Sequence, residues 1–213
     1  MCYNLDMKGK FVTFEGCDGV GKSTQLDKIR AYLLEQGIDC VFVREPGGTD
    51  VSEKIRQVIL DKSNVGMSAI TECLLYSAAR AQLVAEVIKP ALDSGKLVIS
   101  DRYIDSSLAY QGQARGVGID QVASLNEVAT GGLMPDVTIF LNLTPQDAFK
   151  RKGGRDAEDR MELEKDDFHN SVYAGYVEVM RRYPDRVVSV DSSQLIEDVF
   201  SDILEVLKSR GII

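Results

Sequence analysis

Two rhythms of apolar and polar residues alternate along this chain. Residues 10–15 (KFVTFE) form a short β-rich run that breaks at Gly16. Residues 22–35 follow with helical spacing and stop at Gly37, a residue suited to ending helices. The same reading predicts strands over 40–44 (CVFVR), 96–100 (KLVIS), 137–143 (VTIFLNL) and 187–190. Helices are predicted over 51–60, 70–92, 104–110, 121–129 and 196–208. β-rich apolar runs separated by helices imply parallel strands covered on both faces, hence an α/β three-layer fold. No internal repeat or linker divides the sequence, so residues 8–213 read as one domain after an N-terminal extension over 1–7. The sequence is compatible with a start at either Met1 or Met7. Residues 151–160 (RKGGRDAEDR) stand apart as charged and aperiodic, the pattern of a functional loop.

Composition narrows the classes. A chain of 213 residues can bury a substantial core, and a net charge of −8 argues against a nucleic-acid polymer as partner. Cys2, Cys17, Cys40 and Cys73 have no metal-ligand spacing, and His169 is the sole histidine, so free thiols are expected rather than zinc or disulfides. No apolar run reaches membrane-spanning length and no signal-peptide pattern opens the chain, which makes cytoplasm the default expectation.

Candidate chemistry begins at Gly16, Cys17, Asp18, Gly19, Val20, Gly21, Lys22 and Ser23, which match G-x-x-x-x-G-K-[ST] between a predicted strand and a predicted helix; Thr24 follows. Such a loop turns backbone N–H groups toward phosphates at a helix N-terminus. Lys22 would reach the β and γ phosphates and Ser23 would offer a hydroxyl to Mg²⁺. The loop predicts nucleotide binding and leaves kinase, switch GTPase and motor open. Asp101 and Arg102 follow the strand LVIS, where open α/β sheets bind ligands. Asp101 could hold Mg²⁺ and Arg102 could bridge donor and acceptor phosphates. By themselves these two would also suit a surface salt bridge. A guanine-reading Asn-Lys-x-Asp element is absent, which disfavours a switch GTPase.

The motifs EGCDGVGKSTQ (15–25), REPGGT (44–49) with EKIR (53–56), LLYSAARAQ (74–82), DRYIDSSLAYQG (101–112) and RKGGRDAEDRMELE (151–164) occur in the order and spacing of the thymidylate kinases, and the chain resembles that family from Phe11 to about Leu207. The resemblance implies a P-loop NTPase fold of nucleoside monophosphate kinase type, with a five-stranded parallel sheet, Mg-ATP as donor and thymidine monophosphate as acceptor. It gives Asp18 the acceptor's 3′-hydroxyl and places Arg44, Pro46 and Arg56 around the acceptor phosphate. Tyr76 takes the position stacking on thymine, where Phe is common. Arg80 would donate to a base carbonyl, Ser107 and Gln111 would meet the base edge, and Tyr110 would lie under the sugar. A bland packing or capping role suits several of these residues taken singly; their joint spacing is what points to a nucleotide.

The resemblance also implies a mobile lid over about 151–161. Gly19 stands where one subgroup carries a P-loop arginine; Arg151 and Arg155 lie in the lid instead, as in the bacterial arrangement. Catalysis would then fall to Lys22, Mg²⁺, Arg102, Arg155 and Arg151. A phosphate acceptor is already anionic and needs no strong general base. A homodimer joined through helices is implied too, with 51–60 and 74–88 as candidate faces. Adenine contacts are expected at 191–194. A kinase for another nucleoside monophosphate and a non-catalytic P-loop binding protein remain the alternatives.

Overall fold

The computed structural model describes residues 9–152, 160–161 and 164–213. Five strands, β1 (Phe11–Glu15), β2 (Cys40–Arg44), β3 (Leu97–Asp101), β4 (Val137–Asn142) and β5 (Val187–Asp191), form a parallel sheet of order β2-β3-β1-β4-β5. The three central strands are almost wholly buried, as expected where helices cover both faces. β2 and β5 are the partly exposed edges. Register aligns Asp101 with both Phe14 and Arg44. The carboxyl ends of β1, β2 and β3 are therefore level, and the residues that follow them open onto one rim.

Helix α1 (Lys22–Glu35) buries Leu26, Ile29 and Leu33. α2 (Asp50–Leu60) is capped by Thr49, whose hydroxyl accepts the Ser52 N–H. The predicted helix over 70–92 is a continuous rod in three parts: α3 (Ala69–Leu83), a wide π turn at Val84–Ile88, and α4 (Lys89–Asp93). The wide turn precedes Pro90, which cannot take part in a regular α ladder. The predicted helix at 104–110 likewise starts as α5 (Ile104–Ser107) and widens into a π segment, Leu108–Ala114. α6 (Ile119–Thr130) and α9 (Ile196–Ser209) extend their predicted counterparts slightly.

Two helices went unpredicted, α7 (Pro145–Lys152) and α8 (Asp166–Arg182). In α8, Phe168, Val172, Tyr176 and Val179 recur at helical spacing. α8 packs on the π segment at unusually close range: a Cβ on Gly175 would lie 2.7 Å from the Ala109 Cα, a distance that only glycine permits. The neighbouring Tyr176 is thereby carried under the sheet's open rim, stacked on Phe140 at 5.2 Å.

Candidate active site

A cavity of about 180 Å³ opens at the carboxyl ends of β1, β2 and β3, bordered by Asp18, Asp101 and Arg102 at one end and Ser107, Tyr110 and Gln111 at the other. Arg44, Pro46, Arg56 and Tyr76 also border it. Of the acceptor residues expected from sequence, Arg80 alone does not line this space.

The glycine loop meets α1 at Gly21, which adopts a left-handed conformation (φ 94°). Lys22 folds back so that Nζ donates to the carbonyls of Gly16 (3.1 Å) and Cys17 (3.2 Å). Burial and the nearby Arg102 pull its ammonium pKa below the usual lysine value. Ser23 and Thr24 stay exposed on the first turn, while Val20 is buried and its carbonyl accepts from Ser192 Oγ at 2.6 Å. Cys17 is buried, and burial with the adjoining Asp18 pushes its thiol up to about 12, which disfavours the thiolate. Gly19 has no room for a side chain: a Cβ would stand 2.9 Å from the Ala148 carbonyl oxygen, at a φ of +84°.

Arg102 is a non-glycine residue with positive φ (69°), a conformation costing on the order of 1–3 kcal/mol that tends to mark functional sites. Its N–H donates to the Phe14 carbonyl and its own carbonyl accepts from Ser100 Oγ at 2.6 Å. The side chain thus turns back over the glycine loop. Nη1 donates to Gly16 O (3.1 Å), Ser106 Oγ (3.1 Å) and Tyr176 Oη (3.0 Å), and Nη2 to Asp18 Oδ1 (2.5 Å). The guanidinium lies over the Tyr110 ring, 5.2 Å from its centroid. Burial alone would raise the Asp18 pKa, but Arg102 and Lys22 outweigh it and hold the carboxyl below the usual range.

At the rim, Arg44 and Arg56 both donate to the Pro46 carbonyl, at 3.0 and 2.9 Å. Arg44 also grips Glu53 through Nη2 at 2.9 and 3.1 Å. Two forked cations converging on one carbonyl make a local positive pocket in an acidic protein.

Arg80 sits behind the opposite wall, 1% exposed. Its Nε donates to Glu45 Oε2 (2.7 Å), Nη1 to Ser107 Oγ (2.9 Å) and to Asn126 Oδ1, and Nη2 to the Tyr103 carbonyl (2.9 Å). Nη2 also lies 2.6 Å from Glu45 Oε2, so all five N–H groups face protein acceptors and this arrangement leaves no donor for the base carbonyl expected from sequence. Arg80 reaches the cavity through Ser107, which accepts from it and keeps its own proton to give. Gln111 Nε2 donates to Glu72 Oε1 at 2.9 Å, leaving the amide oxygen as the end without a partner among the described residues. Glu72 also receives Arg115 Nε (3.1 Å) and Arg160 Nη2 (2.6 Å). Burial would raise its pKa, yet these donors hold the carboxyl below the usual range.

For a divalent cation the donor set fits. Asp101 Oδ1 is buried without a hydrogen-bond partner among the described residues. With Ser23 it borders a second cavity of about 470 Å³, lined mainly by α1 and β2. Carboxylate and hydroxyl oxygens are the hard donors that Mg²⁺ prefers. Arg151 is exposed on α7, and Arg155 lies outside the described residues.

Sequence reasoning passed over Glu15, Glu45, Ser106 and Tyr176. Glu15 carried a signal: an acid ending a largely apolar buried strand, 0% exposed, requires donors. It takes the N–H groups of Tyr103 (2.7 Å) and Ser106 (3.2 Å) on Oε1, and the hydroxyls of Ser106 (2.6 Å) and Tyr176 (2.9 Å) on Oε2.

A parallel sheet of this order, a glycine loop between β1 and α1, and an acid-arginine pair ending β3 define a P-loop fold of the nucleoside monophosphate kinase type. The sequence model of the thymidylate kinase family matches residues 14–203, and the chain belongs to that family. It is 51% identical over 202 residues to the thymidylate kinase of Thermoanaerobacter sp. (strain X514), covering 95% of this chain and 98% of that protein. The thymidylate kinase of Bacillus velezensis (strain DSM 23117 / BGSC 10A6 / LMG 26770 / FZB42) is 48% identical over 203 residues, 94% and 96% of the two chains. That of Finegoldia magna (strain ATCC 29328 / DSM 20472 / WAL 2508) is 47% identical over 203 residues, 95% and 100%.

Proposed function

We propose that this protein transfers the γ-phosphoryl group of ATP to the phosphate of thymidine monophosphate, giving ADP and thymidine diphosphate. The observation that carries this reading is the position of Arg102, with Nη1 on the glycine loop and Nη2 on Asp18 at the acceptor cavity. A cation there can neutralise donor and acceptor phosphates together, the main obstacle to joining two anions.

Lys22 holds the donor's β and γ phosphates, with the loop backbone from Gly16 to Thr24 around them. Arg44 and Arg56 take the acceptor phosphate, which replaces the Pro46 carbonyl as their partner. Asp18 accepts from the 3′-hydroxyl, Tyr110 lies under the sugar and Tyr76 stacks on the base. At the base edge, Ser107 offers a proton and Gln111 an oxygen. A pyrimidine with an N–H beside a carbonyl matches that pair; cytosine, with an acceptor at the same ring position, does not. Arg80 acts here by holding Ser107. A pocket senses the thymine methyl by about 1–3 kcal/mol.

Asp101 and Ser23 are the residues that would hold Mg²⁺, which neutralises phosphate charge when bound. Arg155 and Arg151 are assigned to the transferring phosphoryl from their sequence position. The protein is read as cytoplasmic and homodimeric, with a second copy covering the apolar side chains of Val51, Val58, Ile70 and Leu74, each about half exposed on α2 and α3.

Purified protein incubated with Mg-ATP and a panel of nucleoside monophosphates tests this directly. ADP formation dependent on thymidine monophosphate is expected. Formation with cytidine monophosphate but not with thymidine monophosphate removes the base-edge assignment, and none with any acceptor removes the enzyme.

A further inference from the structure

Arg102 has two kinds of partner. Asp18 borders the acceptor cavity and is assigned above to the acceptor's sugar, so that carboxylate is shared between Arg102 and the substrate. The other partners, Gly16 O, Ser106 Oγ and Tyr176 Oη, are supplied by buried residues, of which Ser106 also borders the cavity. Two of these three are hydroxyls, which accept from Arg102 only if their own protons point elsewhere.

Glu15 gives those protons their destination. Ser106 Oγ and Tyr176 Oη lie 2.6 and 2.9 Å from Glu15 Oε2. A carboxylate has no proton to give, so both hydroxyls donate to it and turn their lone pairs to Arg102 Nη1. The two oxygens are 2.9 Å apart and share that one nitrogen. Glu15, Tyr176 and Ser106 are 0%, 2% and 8% exposed, so water does not compete for these bonds. Tyr103 and Ser106 pin the other carboxylate oxygen through their N–H groups. Asp105, which bears the same charge as Glu15, is itself paired with Arg186 in a two-pronged contact at 2.6 and 2.7 Å.

We propose that Glu15 is a positioning residue for phosphoryl transfer, setting the Arg102 guanidinium through the hydroxyls of Ser106 and Tyr176. Neither Glu15 nor Tyr176 borders the acceptor cavity, and α8 reaches Arg102 through the Tyr176 oxygen. The inference rests on the reading of Arg102 as the group bridging the two phosphates. Burial and Asp105 push the Glu15 carboxyl up to about 7 against the pull of Arg102, so the carboxylate form predominates only above that pH.

The test is a double-mutant cycle on kcat at pH 8, with thermal unfolding of each variant measured in parallel. Tyr176→Phe keeps the ring against Phe140 and deletes only the hydroxyl. It is expected to lower kcat roughly tenfold while the KM for thymidine monophosphate moves less than about threefold. In an Arg102→Ala background the same change should leave kcat where Arg102→Ala put it, because the residue through which Tyr176 acts is gone. Equal losses in both backgrounds, or wild-type kcat in the single variant, overturn the proposal. Wild-type kcat in Arg102→Ala alone would instead remove the bridging role on which the proposal stands. Should Tyr176→Phe not fold, Ser106→Ala closes the same cycle from the other hydroxyl.

Discussion

Arg80 and Arg102 are both largely buried, each beside a tyrosine ring (5.4 Å to Tyr103 and 5.2 Å to Tyr110) and each ion-paired to a carboxylate. They differ in what is left over. All the nitrogens of Arg80 are engaged with protein, and its side chain is 1% exposed. Arg102 is 17% exposed, and its Nε has no hydrogen-bond partner among the described residues. The surrounding backbone differs too, regular helix under Arg80 and a left-handed residue at Arg102. A saturated guanidinium can organise a wall, whereas an unsaturated one can bind. The same residue type serves two ends of one cavity because its acceptors are counted out differently.

The comparison can be broken at several points. Arg80→Ala should cost about 3–5 kcal/mol in chemical unfolding, since it strands the buried Glu45 carboxylate. A loss below about 1 kcal/mol would mean that the wall does not depend on Arg80. Arg102→Ala should instead spare most of the stability and lower kcat on the order of 10²–10³-fold in steady-state assays. A rise in KM with unchanged kcat would make Arg102 a binding group only.

Next in size is a pH effect. Glu15 has a folded pKa of about 7 against an ordinary 4.5, so the folded state binds more protons than the unfolded chain between those values. Stability should therefore fall as pH rises from about 4.5 to about 7, and Glu15→Gln should flatten that slope in unfolding titrations. An unchanged slope would place the titrating group elsewhere. Arg44→Ala should have the smallest effect on the fold, under about 1 kcal/mol, because its pair with Glu53 is half exposed. It should still raise the KM for thymidine monophosphate, and equal KM values would remove it from the phosphate pocket.

Much of the fold was legible because its signals are local. Each strand is a short, mostly apolar β-rich run, and the glycine loop and the Asp101–Arg102 pair are read within a few residues. α8 was legible in principle, but the charged stretch before it and the polar residues between its apolar positions masked the helical spacing. The interior of the site was not legible at all. Tyr176 and Glu15 are 161 positions apart, and Arg80 collects acceptors from 27, 35 and 46 positions away. Helical spacing places Arg80 one turn from Tyr76 on α3, yet it cannot say that Glu45 and Asn126 will claim its donors first. Glu15 is the instructive omission: a carboxylate at the end of a buried strand announces a need for donors without naming them.

Gly175 contributes no side chain and lies outside the cavity, yet its missing Cβ lets α8 approach the Ala109 backbone and bring Tyr176 to Glu15. Any larger residue at 175 would push the helix outward and carry the phenol off the carboxylate. Position 175 would then look, in a survey of inactivating substitutions, like part of the chemistry. Its intolerance would record a helix-to-helix distance, conveyed to Arg102 through a single oxygen.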